Sequence, residues 1–183
     1  MAFNINDMRS NLKFGGARPT LFQVTITNPV NPVADIQIPF LVRTTSLPAF
    51  NLGTVEVPYF GRKMKVVGDR TFEPWSTTVI NDEDFAIRNS LEAWSSAMNT
   101  NLTNARNLPS SAPAEYKSTA QVIQFGKKGE ILREYRFNGC WPSEISSIDL
   151  DWDQTDTIET FNVTWQYDWF DVTRGTTVDG TVI

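Results

Sequence analysis

The sequence contains no histidine, and this absence removes a large part of the usual catalytic chemistry. Histidine is the commonest general base and metal ligand, so imidazole-dependent triads and most zinc sites are excluded. A single cysteine, Cys140, excludes an intramolecular disulfide, which fits assembly in a reducing cytoplasm. No apolar run approaches the ~18 residues of a transmembrane helix, so no membrane segment is expected. No cofactor-binding motif emerges, and no cofactor is expected.

Positive charge is absent from one long part of the chain. Residues 137–173 hold eight carboxylates and no lysine or arginine, and the whole chain has a formal charge of −5. Bulk attraction to nucleic acid or to an anionic membrane is therefore not expected. Within this part, residues 148–153 alternate apolar and acidic residues with a period of two. This alternation predicts a strand with one buried and one solvated face. The buried face would hold Ile148, Leu150 and Trp152, and the solvated face Asp149, Asp151 and Asp153.

Alternation of this kind dominates the rest of the sequence and predicts a mostly β protein. Aromatic residues make up 12% of the chain, which suits strands and large contact surfaces. We expect an N-terminal arm at 1–17, one β domain at 18–172 and a C-terminal tail at 173–183. The predicted fold is an antiparallel β-sandwich or barrel with one lateral α-helix. Its strands are expected at residues 20–27, 36–44, 54–60, 62–67, 71–80, 118–125, 130–137, 148–153 and 157–171.

One segment reads as a helix. Asn81 is a suitable N-cap, and Asp82, Glu83 and Asp84 would follow in the first turn, where the helix dipole favours negative charge. An apolar stripe then recurs at helical spacing, which predicts the face that packs on the sheet: Ile87, Leu91, Trp94 and Met98. Turns are expected at residues 68–70 and 138–139.

The acidic run offers two chemical alternatives. Asp149-x-Asp151-x-Asp153 resembles the start of a calcium loop, but Gln154 and Thr160 stand where that loop needs glycine and glutamate. Paired carboxylates could instead serve a glycosidase, with tryptophans stacking on sugars. Aspartates on one strand face are usually its solvated side, and tryptophans on apolar faces usually pack in the core, so no enzyme is predicted. A carbohydrate-binding β-sandwich module remains an alternative. Because Trp152 is predicted to be buried, Trp152→Ala is expected to reduce the free energy of unfolding by ~3–5 kcal/mol.

A second charged zone has the opposite sign. Lys63 and Lys65 share one face of a predicted strand, Met64 and Val66 share the other, and Arg70 lies nearby. A basic zone near 62–70 and an acidic zone near 144–171 suit a head-to-tail contact between identical subunits. Assembly through such charges should weaken as salt is raised.

Several short runs together resemble the tail tube proteins of contractile, T-even-type bacteriophages. The runs appear in family order, cover roughly residues 17 to 170, and are specific in combination rather than singly. They are Ala17–Val24, Arg62–Trp75, Val79–Glu83, Pro113–Lys117, Gly139–Pro142, Leu150–Asp153 and Ile158–Thr164. The connector at 28–35 and the tail at 173–183 look longer than the usual family form.

The resemblance implies a structural virion protein with no enzymatic activity. Six copies would join into a ring, and rings would stack into a hollow tube within a contractile sheath. The implied partners are further copies of the chain, a tail sheath protein, a baseplate tube initiator and a tape measure protein inside the lumen. Phage DNA would pass through without specific binding. The subunit would be assembled in the host cytoplasm and located in the virion tail. A tube subunit of a related contractile injection system, carrying protein cargo, is an alternative.

The resemblance also implies two sets of site residues. A long hairpin would bridge stacked rings, and its contact candidates are Tyr59, Phe60, Gly61, Arg62, Lys63 and Lys65. Acidic contact or lumen candidates are Asp149, Asp151, Asp153, Thr160, Asn162, Thr164, Gln166 and Asp168. The wet face of the 118–137 hairpin is the other lumen candidate.

Overall fold

The structure is a computed structural model that describes residues 4–12, 15–108 and 112–175. The described residues form nine strands, four α-helices and one 3-10 helix. The strands are β1 Phe22–Ile26, β2 Val42–Thr45, β3 Asn51–Tyr59, β4 Arg62–Thr71, β5 Trp75–Ile80, β6 Ser118–Phe125, β7 Ile131–Ile145, β8 Thr160–Gln166 and β9 Trp169–Gly175. The helices are α1 Ile5–Asn11, the 3-10 helix Pro32–Ile36, α2 Ile38–Leu41, α3 Ala86–Met98 and α4 Pro113–Tyr116.

Seven strands form one antiparallel network that strand β7 divides into two halves. The order is β1-β6-β7-β8-β5-β2, and β9 pairs with β7 outside this path. The first part of β7 pairs with β6 and β9, whereas residues 141–145 pair with β8. Strands β3 and β4 pair only with each other, as a separate two-stranded hairpin.

The two halves face each other across an aromatic core. Trp75 of β5 stacks on Phe137 of β7 with ring centroids 4.4 Å apart, although β8 separates these strands in the network. Trp165 of β8 lies between Trp75 and Trp94 of α3, and all three tryptophans are fully buried. Cys140 is buried in the same core, and burial raises the pKa of its thiol. The predicted β-sandwich with a lateral helix is therefore confirmed.

The lateral helix α3 begins four residues later than predicted, at Ala86 instead of Asp82. Asn81 does not cap it: Asn81 instead donates its backbone N–H to Glu159 O at 2.9 Å and continues the sheet edge. The chain turns through Phe85, whose φ of 53° is left-handed, and the Asp84 carboxylate accepts from Ala86 N at 3.0 Å. The predicted apolar stripe is correct, because Ile87, Leu91 and Trp94 are buried and Met98 packs against the core.

The connector between β1 and β2 is helical where a strand over 36–44 was expected. Asn31 caps the 3-10 helix by accepting from Val33 N, and Pro39 occupies the first turn of α2. Proline lacks the N–H that a ladder requires but is tolerated in a first helical turn. A buried amide fixes the connector to α3, since Asn28 Nδ2 donates to Ser90 Oγ at 2.9 Å. Strand pairing begins only at Val42.

Three strand boundaries also differ from prediction. Residues 68–70 were predicted to form a turn but lie within β4. Residues 138–139 were also predicted to form a turn, yet β7 continues through them, and Gly139 adopts a φ of 68° within the strand. The last predicted strand, 157–171, is two strands. Tyr167 and Asp168 separate β8 from β9, and each then pairs with a different part of β7.

The predicted acidic strand over 148–153 does not form. Trp152 is 100% exposed and Leu150 85% exposed, and residues 146–159 contain no strand. Aspartate is disfavoured in strands and competes for local backbone donors. Here the Asp151 carboxylate accepts from Asp153 N at 3.0 Å, which closes a local turn in place of a ladder bond. The predicted burial of Trp152 is therefore wrong, and the reason for expecting Trp152→Ala to destabilise the subunit is removed.

The two predicted terminal segments are described only in part. Within the expected N-terminal arm at 1–17 the structure shows a short helix, α1, with no buried residue. At the other end, β9 continues into the expected tail as far as Gly175, and residues 176–183 lie outside the described residues. Among the helices that the structure describes, none is long and apolar enough to cross a membrane.

Candidate assembly surfaces

The β3–β4 hairpin, residues 51–71, projects from the sandwich, and we call it the arm. Every residue from Leu52 to Val67 is exposed. Opposed residues of an antiparallel pair share a face, so the register Val55↔Val66, Val57↔Met64 and Tyr59↔Arg62 places all six side chains on one face. Five of the six are apolar, and Arg62 is the exception, so we call this the apolar face. The opposite face is polar, and there Lys63 Nζ lies 2.7 Å from Glu56 Oε2. A long apolar surface is thus open to solvent on the isolated subunit.

The tip of the arm combines a tight turn with a large aromatic side chain. Phe60 and Gly61 connect the strands, and their φ angles are 42° and 80°. Two central residues with positive φ are typical of the type I′ hairpin turn, where asparagine or glycine is usual. Phe60 adopts this disfavoured conformation while 92% exposed, so neither backbone preference nor core packing explains it.

The base of the arm is fixed by aromatic packing and by a close backbone approach. Phe50 packs against Phe170 with ring centroids 4.7 Å apart, and the Arg70 guanidinium lies 5.3 Å from the Phe50 ring. The strand register shifts between Leu52 and Thr54, at Gly53. A Cβ on Gly68 would lie 3.0 Å from the carbonyl carbon of Gly53, so the two strands meet there without room for side chains.

The outer face of the β2-β5-β8 sheet is polar, with no charged side chain on β5 or β8, and Arg43 of β2 is exposed at its edge. Thr44 Oγ1 donates to Thr78 Oγ1 at 2.8 Å, and Thr78 Oγ1 donates to Asn162 Oδ1 at 2.8 Å, so one hydrogen-bonded row crosses three strands. The predicted candidates Thr160, Asn162, Thr164 and Gln166 share this face of β8, opposite the buried Phe161, Val163 and Trp165. Asp168 lies apart from them in the β8–β9 turn, where Lys117 Nζ contacts its two oxygens at 2.6 and 2.8 Å.

Residues 146–159 form a protruding acidic loop between β7 and β8. Both ends are held: Ser146 N donates to Asn162 O at 2.8 Å, and Asn81 Nδ2 donates to Glu159 Oε1 at 3.0 Å. Between them, Asp149, Asp151 and Asp153 are exposed rather than aligned on a strand. Within the described residues, no group of three acidic or sulfur side chains is placed to hold a metal ion.

Sequence reasoning missed most of the apolar face of the arm. The sequence predicts Tyr59, Phe60, Gly61, Arg62, Lys63 and Lys65 as contact residues, whereas the exposed apolar surface also includes Val55, Val57, Met64 and Val66. The signal was present, because period-two alternation on both strands predicts which side chains share a face. The alternation does not predict whether another layer of the subunit covers the apolar face of the arm.

Comparisons with known proteins agree with this architecture. Residues 12–173 match the family described as phage tail tube protein. The chain is 34% identical over 156 residues to the tail tube protein gp19 of Enterobacteria phage T4, covering 85% of this chain and 91% of that protein. It is 27% identical over 168 residues to the tail tube protein of Serratia phage KSP90, covering 89% and 93%.

Solved structures share the fold at low identity. The tube terminating cap of the anti-feeding prophage superposes with a TM-score of 0.63 at 16% identity, covering 86% of this chain and 90% of that chain. A chain of the sheath-tube complex of an extracellular contractile injection system gives 0.58 at 15% identity, covering 89% and 95%. Together with the family match and the phage relatives, the projecting hairpin and folded antiparallel sheet show that this chain belongs to the phage tail tube protein family and is a structural, non-enzymatic tail tube protein of a contractile phage tail.

Proposed function

We propose that six copies of this chain form a ring, that the rings stack into the tail tube, and that the arm joins neighbouring rings. The observation that carries the proposal is the uncovered apolar face of the arm. A two-stranded hairpin is at best marginally stable in water unless a further layer covers it. A contiguous exposed apolar surface of this kind marks a protein contact. A subunit of the next ring would supply the missing layer.

The lumen requires a surface on which DNA slides, and the two halves of the sandwich differ in this respect. The outer face of β2, β5 and β8 presents hydroxyl and amide groups, joined in the Thr44–Thr78–Asn162 row. On the outer face of the other half, Arg136 of β7 lies opposite Gln121 of β6 on one side and Asp171 of β9 on the other, so this face carries charges of both signs near its centre. The face centred on β5 and β8, which hold no charged side chain, is therefore the better lumen lining, and the net charge of −5 adds weak repulsion.

The remaining partners follow from the same function. A tube in a contractile tail lies within a sheath, starts on a baseplate initiator and encloses a tape measure protein before DNA fills it. One structural neighbour is a sheath-tube complex by description, which supports a sheath contact for this chain as well. We place assembly in the host cytoplasm. The phage relatives favour DNA over protein as cargo.

The arm contact is tested by placing charge on its apolar face. Val57→Asp with Met64→Asp should leave the subunit folded, because both residues are exposed, but should abolish the hollow filaments seen by electron microscopy. Thr54→Asp is the matched control, since Thr54 lies on the opposite face of the same strand. Filaments at normal yield from the double variant would show that the arm face is not a ring contact.

The lumen assignment has its own test. Asn162→Lys and Gln121→Lys each add one cation, on the outer faces of the two halves. Particles carrying Asn162→Lys are expected to eject DNA more slowly, whereas Gln121→Lys should leave the rate unchanged. The reverse result would assign the lumen to the β6–β7 face.

A further inference from the structure

We propose that the acidic loop, residues 146–159, is the surface that receives the arm of a neighbouring copy, with Trp152 as its anchor. This inference rests on the proposed function, in which the arm is a contact between subunits. It adds the identity of the receiving surface. It also assigns most of the binding affinity to the apolar side chain of Trp152 instead of the carboxylates.

The positions of the two surfaces in the fold support a head-to-tail contact. The arm returns to the sandwich just before Trp75, where β5 begins, whereas Asn81 just after β5 holds Glu159 at the end of the acidic loop. The two surfaces therefore leave opposite ends of one strand, about 17 Å apart at the ~3.3 Å rise per strand residue. Surfaces that differ and lie at opposite ends generate open, stacked assemblies when they bind each other.

The chemistry of the two surfaces is complementary. The loop holds five carboxylates and no cation, and the arm holds four cations, Arg62, Lys63, Lys65 and Arg70, against two carboxylates. Both surfaces also expose apolar side chains: the loop presents Leu150, Trp152 and Ile158, and the arm presents its apolar face. Complementary charge speeds and orients encounter, while burial of apolar area supplies the affinity.

Trp152 has the properties of an interface anchor. It is 100% exposed in the subunit, although burying a tryptophan is among the largest gains available to a contact. The loop around it is also organised in advance. Arg88 Nη1 donates to Ser146 O at 3.2 Å at one end, and the Asp151–Asp153 turn closes beside the indole. Less ordering is then required when a partner binds.

The test compares tube growth from preformed tube fragments by four purified chains. Trp152→Ala should raise the critical concentration about tenfold or more, as truncation of an anchor tryptophan does, without changing the melting temperature. Trp152→Phe should recover most of the loss, because an aromatic ring is retained. Leu102→Ala is the matched control, since Leu102 is 94% exposed but belongs to neither surface. The fourth chain is Val57→Asp with Met64→Asp.

A cross-link then identifies what the loop contacts. Arg62→Cys places a thiol near the tip of the arm, on the face that it shares with Val57 and Met64, and Gln154→Cys places one beside Trp152, while Cys140 stays buried and protonated. A disulfide-linked dimer is expected when the two variants are mixed under assembly conditions, and none when either is paired with Leu102→Cys.

The outcomes separate the two proposals. Normal growth of Trp152→Ala together with failure of the arm variant would overturn the acidic loop as receptor and leave the arm contact standing. Normal growth of both would overturn the arm contact itself. Failure of Trp152→Ala without the mixed disulfide would also overturn the proposal, because the loop would then bind another surface.

Discussion

Strand β8 and the acidic loop contain the same alternation of apolar and polar residues, yet only β8 is a strand. In β8, Phe161, Val163 and Trp165 are buried, and β5 and β7 pair with its two edges. In the loop, Leu150 and Trp152 are almost wholly exposed. The polar residues differ, being threonine and asparagine in β8 and three aspartates in the loop. Alternation therefore shows which side chains would share a face, and the polar residues influence whether a strand forms at all.

The largest test of this comparison removes the tryptophan from each segment. Trp165 is 1% exposed and packs between two other tryptophans, so Trp165→Ala should reduce the free energy of unfolding by ~3–5 kcal/mol. Trp152→Ala should change it by less than ~0.5 kcal/mol, as expected of an exposed site. Urea titration followed by circular dichroism measures both. A large loss for Trp152→Ala would mean that the loop packs on the sandwich in solution.

A smaller effect tests the polar partner of the same buried tryptophan. Trp165 Nε1 donates to Thr77 Oγ1 at 2.9 Å, and both residues are buried. Thr77→Val keeps the shape but leaves the indole N–H without an acceptor, which should cost ~1–3 kcal/mol. Thr164→Val, on the outward face of β8, is the control and should have little effect. Equal melting temperatures for the two variants would show that this hydrogen bond is not needed.

The smallest stability effect is expected where the loop carries its charge. Replacing Asp149, Asp151 and Asp153 together by asparagine keeps the side-chain oxygen that closes the turn but removes three like charges. The unfolding free energy at low salt should stay within ~0.5 kcal/mol of the unmodified chain. Thermal unfolding at two salt concentrations checks this. A loss above ~1 kcal/mol would indicate that the carboxylates stabilise the subunit.

Charge removal should nevertheless affect assembly. The same triple variant should elongate seeded tubes more slowly than the unmodified chain at low salt, and the difference should shrink as salt screens the remaining charges. Light scattering during seeded growth measures the rate. Identical rates at all salt concentrations would show that the loop carboxylates do not steer the encounter between subunits.

Most of the sandwich could be predicted from the sequence, because buried strands combine alternation with β-branched and aromatic residues. Strands β1, β5 and β6 follow from that signal, the arm follows from alternation alone, and the apolar stripe of α3 follows from its helical spacing. The failures occurred where local hydrogen bonding overrides alternation. Pro39 and Asn31 favour helix in the connector, and Asp151 closes a turn in the acidic loop.

The candidate surfaces were less predictable for a different reason. Sequence patterns indicate which residues share a face, but only the tertiary structure shows whether another layer of the subunit covers it. Val57 and Val163 have similar local patterns; the first is exposed on the arm and the second is wholly buried. Asp168 likewise reads as an open carboxylate in the sequence, and only the fold brings Lys117 against it.

The positions of the arm and the acidic loop at opposite ends of β5 also bear on how a filament begins and stops. A filament joined through these two surfaces is polar, with free arms at one end and free loops at the other. Neither end is changed by adding a subunit, so these two surfaces carry no signal for length. A starter protein needs to imitate one surface and a terminator the other, and their binding chemistry should differ accordingly: acidic with an exposed aromatic in one case, basic and apolar in the other.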